Sequence, residues 1–94
     1  MAAVAGIRSA HATLVANTED VVTLSAGKGL AELCHHGGSI TDVIYYRLDN
    51  TAVVKAADET YVCLPGERVS VNLADTGILR LISNGAAGYS VQLI

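Results

Sequence analysis

Neither tryptophan nor phenylalanine occurs in this sequence, so its core must be built from Val, Ile, Leu, Ala and some of the four Tyr. Charge is scarce as well: Asp, Glu, Lys and Arg make up 16% of the chain, where about 25% is usual. Net charge is −3 and the few Lys and Arg are scattered singly. Without a basic stripe to neutralise phosphates, nucleic acid is not expected as a partner. No apolar run approaches the length of a membrane span, so no membrane association is expected either. The amino terminus, Met1 to Ile7, is apolar but has no basic flank or long apolar stretch. It does not read as a secretory signal, and no export is expected.

What is present points the other way. Apolar residues are 51% of 94 residues, in a chain long enough for one domain and too short for two. A small domain has a high ratio of surface to volume and should be more polar than average. This one is less polar, so either some apolar surface is exposed or neighbours in an assembly cover it, the second being the more economical expectation.

Short β-type segments recur roughly every eight to twelve residues, the spacing of a sandwich or barrel. They cover residues 11–16, 20–25, 30–35, 43–48, 61–64, 68–73, 77–82 and 89–94. The separators are Asn17-Thr18, Gly37-Gly38, Asp49-Asn50, Pro65-Gly66, Asp75-Thr76-Gly77 and Asn84-Gly85, each rich in turn formers. Several segments alternate cleanly. Val69, Val71 and Leu73 share one face, as do Tyr89, Val91 and Leu93, and Ile44, Tyr46 and Leu48, the period of half-buried antiparallel strands. Residues 77–82 carry Ile or Leu on both faces, as a strand covered on both sides would. No stretch sustains a helical period. The expected fold is all-β: a small antiparallel β-sandwich, Ig-like or jelly-roll-like, of about seven or eight strands. The sandwich takes residues 11–94, with residues 1–10 an extended N-terminal arm that either frays or lies along a neighbour.

The chain offers little chemistry. Cys34, His35 and His36 are the one cluster that invites it. On a strand Cys34 and His36 share a face and His35 points away. A zinc site would need further donors from Cys63, His11 or Glu32, and paired-ligand spacing is missing. The alternative is a small apolar Cys34 with two histidines at a strand end. With no export signal, Cys34 and Cys63 are expected as free thiols. Ser and Asp fall mostly in turns, and glycines never take a phosphate-cradling pattern. No catalytic residue, cofactor or metal is assigned, and the chain is expected not to be an enzyme. The residues expected at a protein interface are Val4, Ile7 and Arg8 of the arm, with Tyr45 and Arg47 on the outward face of their strand. Tyr and Arg are enriched among interface hot spots.

Residues 43–51 (Val-Ile-Tyr-Tyr-Arg-Leu-Asp-Asn-Thr), 58–66 (Asp-Glu-Thr-Tyr-Val-Cys-Leu-Pro-Gly) and 81–91 (Leu-Ile-Ser-Asn-Gly-Ala-Ala-Gly-Tyr-Ser-Val) resemble small virion proteins of tailed bacteriophages, notably those of actinobacteria. Residues 13–18 fit more loosely. The resemblance spans residues 11–94 and lies in strand and turn pattern; Cys34-His35-His36 departs from it. It implies a β-sandwich of the head or tail, with capsid decoration as one role. Such a protein sits on the virion exterior, assembled in the host cytoplasm, and clamps neighbouring subunits. The expected partners are the major capsid protein and further copies of the chain, a trimer being one such form. The alternative is a minor tail or receptor-contacting module.

Overall fold

In the computed structural model, which describes residues 2–26, 29–37, 39, 41–48, 50–55, 60–73 and 77–94, the alternating segments form nine strands. They are β1 (Ala2–Gly6), β2 (Ser9–Thr13), β3 (Asp20–Leu24), β4 (Leu30–His35), β5 (Ile44–Arg47), β6 (Tyr61–Cys63), β7 (Arg68–Asn72), β8 (Ile78–Ser83) and β9 (Gly88–Leu93). No helix occurs among the described residues. One sheet has the order β1-β3-β8-β5-β6 and the other β2-β9-β4-β7. Every pairing is antiparallel except β1 with β3. The fold is a small all-β sandwich. Gly38, Asp49, Asp75 and Thr76 of the expected turns, and the Asp58-Glu59 pair, lie outside the described residues.

The alternation read from sequence becomes the core. From the five-stranded sheet, Val22, Leu24, Ile44, Tyr46, Cys63, Leu79 and Leu81 point inward; from the four-stranded sheet come Ala10, Ala31, Leu33, Val71, Tyr89 and Val91. Val69, Leu48 and Leu93 pack partly buried at its margin. Each large aliphatic side chain so buried contributes about 1.5–3 kcal/mol. The strand with apolar residues on both faces, β8, runs through the middle of its sheet between β3 and β5. Its outer Ile78, Arg80 and Ile82 are half-buried. Part of the expected cover therefore comes from the chain itself, as Arg80 bonds to Glu19 and Asn50.

Turn chemistry fits the backbone where it is described. Asn17 and Asn50 take left-handed φ values of 58° and 60°, which Asn tolerates better than most residues. Pro65 and Gly66 sit at the centre of the turn from β6 to β7. Gly66 has φ 80° and the Glu67 amide donates to the Leu64 carbonyl at 2.9 Å. That is a type II turn, with Pro presetting the first central residue and Gly supplying positive φ at the second.

The first ten residues differ from expectation. The segment expected as an arm is extended, but it belongs to the sandwich: β1 lies parallel to β3, with Ala2 opposite Asp20 and Gly6 opposite Leu24. The chain then crosses to the other sheet, where β2 begins at Ser9 and pairs with β9. The backbone of β3 presented an open edge, and β1 satisfies its donors and acceptors.

Tyr89, the largest fully buried side chain, ties the sheets together. From β9 its hydroxyl donates to Oδ2 of Asp20 on β3 at 2.7 Å, and Asp20 is itself buried. A buried acceptor without its donor costs about 1–3 kcal/mol, more when charged. Tyr89→Phe is therefore expected to lower unfolding free energy by about that amount in urea titration. Asp20→Asn, which keeps an oxygen for the hydroxyl, is expected to lose less.

Candidate binding surface

Strand alternation places the Cys34-His35-His36 cluster as expected by face. His35 is fully buried, Cys34 is half-buried and His36 is exposed on the outer side. His35 Nε2 donates to the Asp42 carbonyl at 2.5 Å, and Nδ1 accepts the Gly37 amide at 2.9 Å. With one ring nitrogen donating and the other accepting, the imidazole is neutral and holds the loop after β4 against the sheet. The two histidines do sit at the end of β4, but His35 is buried there rather than solvated, and Cys34 is half-buried on the outer face rather than a core filler. Cys63 fills that role from the opposite sheet. Both cysteines are free thiols.

On the outer face of the four-stranded sheet, register sets His11, Ser90, Cys34 and Arg68 side by side across β2, β9, β4 and β7. His36 Nε2 bonds to Ser90 Oγ at 3.0 Å, and its ring packs over Gly88, where an added Cβ would lie 3.6 Å from Nδ1. A base beside a hydroxyl is the start of a nucleophilic site, which further needs a group orienting the base and donors for an oxyanion. Here the pair lies on an open, polar sheet face beside Cys34 and Arg68. No cavity forms among the described residues, and no three His, Cys, Asp or Glu side chains among them gather as a ligand set. Arg68 faces Glu32 at 3.7 Å with 70% of its side chain exposed, a pair worth little in water.

The other outer face is built differently. Residues 50–55 are strapped to the five-stranded sheet. Arg80 donates from Nε to Asn50 Oδ1 at 2.9 Å and from its terminal nitrogen to Glu19 Oε1 at 2.8 Å. Glu19 Oε2 accepts the Val53 amide at 2.7 Å. Lys55 Nζ donates to the side-chain carbonyls of Asn17 and Asn84. Thr60 then returns the chain to β6 by donating to the Val54 carbonyl at 2.8 Å. The strap leaves Val54 outward beside the edge strand. Val54, Tyr61, Val62 and Leu64 keep between 46% and 62% of their surface open to solvent. Val62 continues an outer row of Ile82 and Tyr45 in register, and Tyr61 stacks on Tyr46 with ring centroids 5.5 Å apart.

The expected interface residues are therefore dispersed. Tyr45 and Arg47 are on the outer face of β5, half-buried, with Tyr45 inside the apolar row. Val4 packs against the core margin. Ile7 and Arg8 stand exposed at the crossing between sheets, separated from β5 by β3 and β8. Sequence reasoning missed Val54, Tyr61, Val62 and Leu64. The available signal was that residues 61–64 are apolar at every position, so a sheet edge built from them must expose some. Comparison with protein-family models, with curated proteins and with solved structures gives no match to this chain.

The two thiols are expected to behave differently. Burial, reinforced by the nearby Glu67 carboxylate, pushes the Cys63 thiol up to about 11 from its ordinary 9.0. At neutral pH a maleimide should modify Cys34 in the folded protein and reach Cys63 only on unfolding. Below about pH 9 the Cys63 thiol is protonated in both states. Above it the unfolded chain ionises first, so stability should fall as pH rises through 9 to about 11. Burial raises the Tyr46 and Tyr89 phenols in the same direction. Denaturant midpoints measured across that alkaline range check this; a flat profile contradicts it.

Proposed function

We propose that this chain is a structural virion protein of a tailed bacteriophage, a capsid decoration subunit that binds the outside of the major capsid protein shell and further copies of itself. The observation that carries a protein-binding role is the apolar edge formed by Val54, Tyr61, Val62 and Leu64 beside the row of Ile82 and Tyr45. Several large apolar side chains left open at one sheet edge of a small domain mark a surface that a protein partner covers. The virion assignment rests on the likeness of residues 43–51, 58–66 and 81–91 to small phage virion proteins. All three of those stretches contribute: 58–66 holds Tyr61, Val62 and Leu64, 43–51 holds Tyr45 and 81–91 holds Ile82.

A repeated subunit needs only modest affinity at each contact, because linked contacts add through avidity. Few charges and several open apolar side chains suit that mode. The protein acts here by adhesion, without catalysis.

The copy number on purified particles tests the reading. Decoration requires an abundance comparable with that of the shell protein, and a handful of copies confined to the tail tip would instead select a tail module. Val62→Asp places a charge in the centre of the edge without touching the core. It is expected to weaken binding to undecorated shells by at least about tenfold, equivalent to about 1.4 kcal/mol, while leaving the unfolding midpoint nearly unchanged.

A further inference from the structure

We infer that β1 is an exchangeable strand, so that two copies of the chain swap Ala2–Gly6 and each lays it parallel along β3 of the other. The inference deepens the self-association in the proposed function and rests on that part of it.

Both halves of the contact are present in one chain. The edge of β3 takes β1 in register from Ala2 opposite Asp20 to Gly6 opposite Leu24. Backbone bonds extend it at both ends: Ala2 N to Glu19 O at 2.9 Å, Ser25 N to Gly6 O at 2.9 Å and Ala26 N to Ile7 O at 3.0 Å. Such a seat reads main chain, and an identical segment from a second copy satisfies it equally well.

The strand is held weakly by side chains. Ala2, Ala3 and Ala5 are exposed, and Val4 is the residue of β1 that packs against the core. An edge element with so little apolar burial belongs to the least stable part of a fold and opens first.

The corner that folds β1 back is tight. Ile7 O is bonded in one sheet, while the next carbonyl, that of Arg8, accepts Leu93 N at 2.8 Å in the other. The chain changes sheets within one peptide. At Gly6 an added Cβ would lie 2.0 Å from Ser9 O and 2.9 Å from Ser9 C, both backbone atoms. Gly6 is thus required for space in the closed form. The native glycine keeps the corner free of that clash; in Gly6→Ala, opening the corner relieves it by moving this position away from Ser9, and a short hinge put under such strain favours exchange. Ile7, 71% exposed, stands at the hinge, where the two copies of an exchanged pair approach each other.

The test uses the full chain in three forms: native, Gly6→Ala, and an insertion of Gly-Ser-Gly between Ile7 and Arg8. Light scattering after size-exclusion chromatography reads mass, and circular dichroism reads folding. Gly6→Ala should shift the folded chain toward a dimer relative to native at the same concentration. The insertion should shift it toward monomer, alone or combined with Gly6→Ala. In a dimer assembled from isotope-labelled and unlabelled copies, nuclear Overhauser contacts between Val4 and Val22 should be intermolecular. A folded monomeric Gly6→Ala chain, a Gly6→Ala chain unfolded at every concentration, or purely intramolecular contacts in the dimer would each overturn the inference. If monomeric Gly6→Ala still coats particles, strand exchange fails while shell binding stands.

Discussion

The sandwich depends on one buried side-chain hydrogen bond that joins its two sheets, the hydroxyl of Tyr89 on the carboxylate of Asp20. Apolar packing is tolerant of small shifts between sheets, because dispersion and burial have no direction. A hydrogen bond to a buried carboxylate has direction and is costly to leave unmade. It fixes which residue of β9 faces which residue of β3. The consequences spread through register. Asp20 sits opposite Leu81 and Ala2, while Tyr89 sits opposite His35 and Ala12. One bond thereby sets the relative placement of β1, β3 and β8 against β2, β4 and β9.

With the sheets so fixed, their two outer faces carry different chemistry. The four-stranded sheet shows solvent Ser9, His11, Ser70, Ser90, Gln92, Cys34 and Glu32, short or polar side chains for the most part. The five-stranded sheet shows Val21, Ile78, Ile82, Tyr45 and Val62, interrupted by Arg47 and Arg80. Arg80 is not a solvating charge there. Its hydrogen bonds to Glu19 and Asn50 hold residues 50–55 to the sheet, and this polar strap delivers Val54 to the apolar edge. Even the charged groups on that side therefore help to assemble an apolar surface.

Eight of the nine strands were legible because turn formers separate them and several carry the period-two signal, and both signals are local. β1 was not legible. Ala-Ala-Val-Ala-Gly has no polar residue to alternate, buries little, and finds its partner in parallel across a change of sheet. The face of His35 followed from alternation, but its role did not, since its partners Asp42 and Gly37 are set by loop geometry. The same holds for Lys55 with Asn17 and Asn84, and for Tyr89 with Asp20, pairings that span much of the chain. Tyr45 and Arg47 were placed on the correct face, yet exposure depends on neighbours in register, and Ile82 and Val62 beside Tyr45 are fixed by strand order. The apolar edge at residues 61–64 lacked alternation for a physical reason. In β6 the outward Val62 is apolar and the inward-facing Tyr61, stacked on Tyr46 at the sheet edge, stays exposed, so burial alternates less sharply than in the central strands.

The edges of the two sheets sharpen the contrast between the faces. Sheet edges carry unpaired backbone groups, and proteins that avoid association place charge or other polar side chains along them. In the four-stranded sheet the edges are β2 and β7, with Ser9, His11 and Thr13 on one and Arg68, Ser70 and Asn72 on the other. In the five-stranded sheet the edges are β1, almost all Ala, and β6, with Tyr61 and Val62 exposed. Among the described residues, neither edge strand itself carries a charged side chain. Both unguarded edges and the apolar outer face belong to the same sheet, whereas a chain disposed against association would spread its protection evenly. The asymmetry gives the domain one apolar side and one polar side, the arrangement that the proposed docking on a larger protein surface would use.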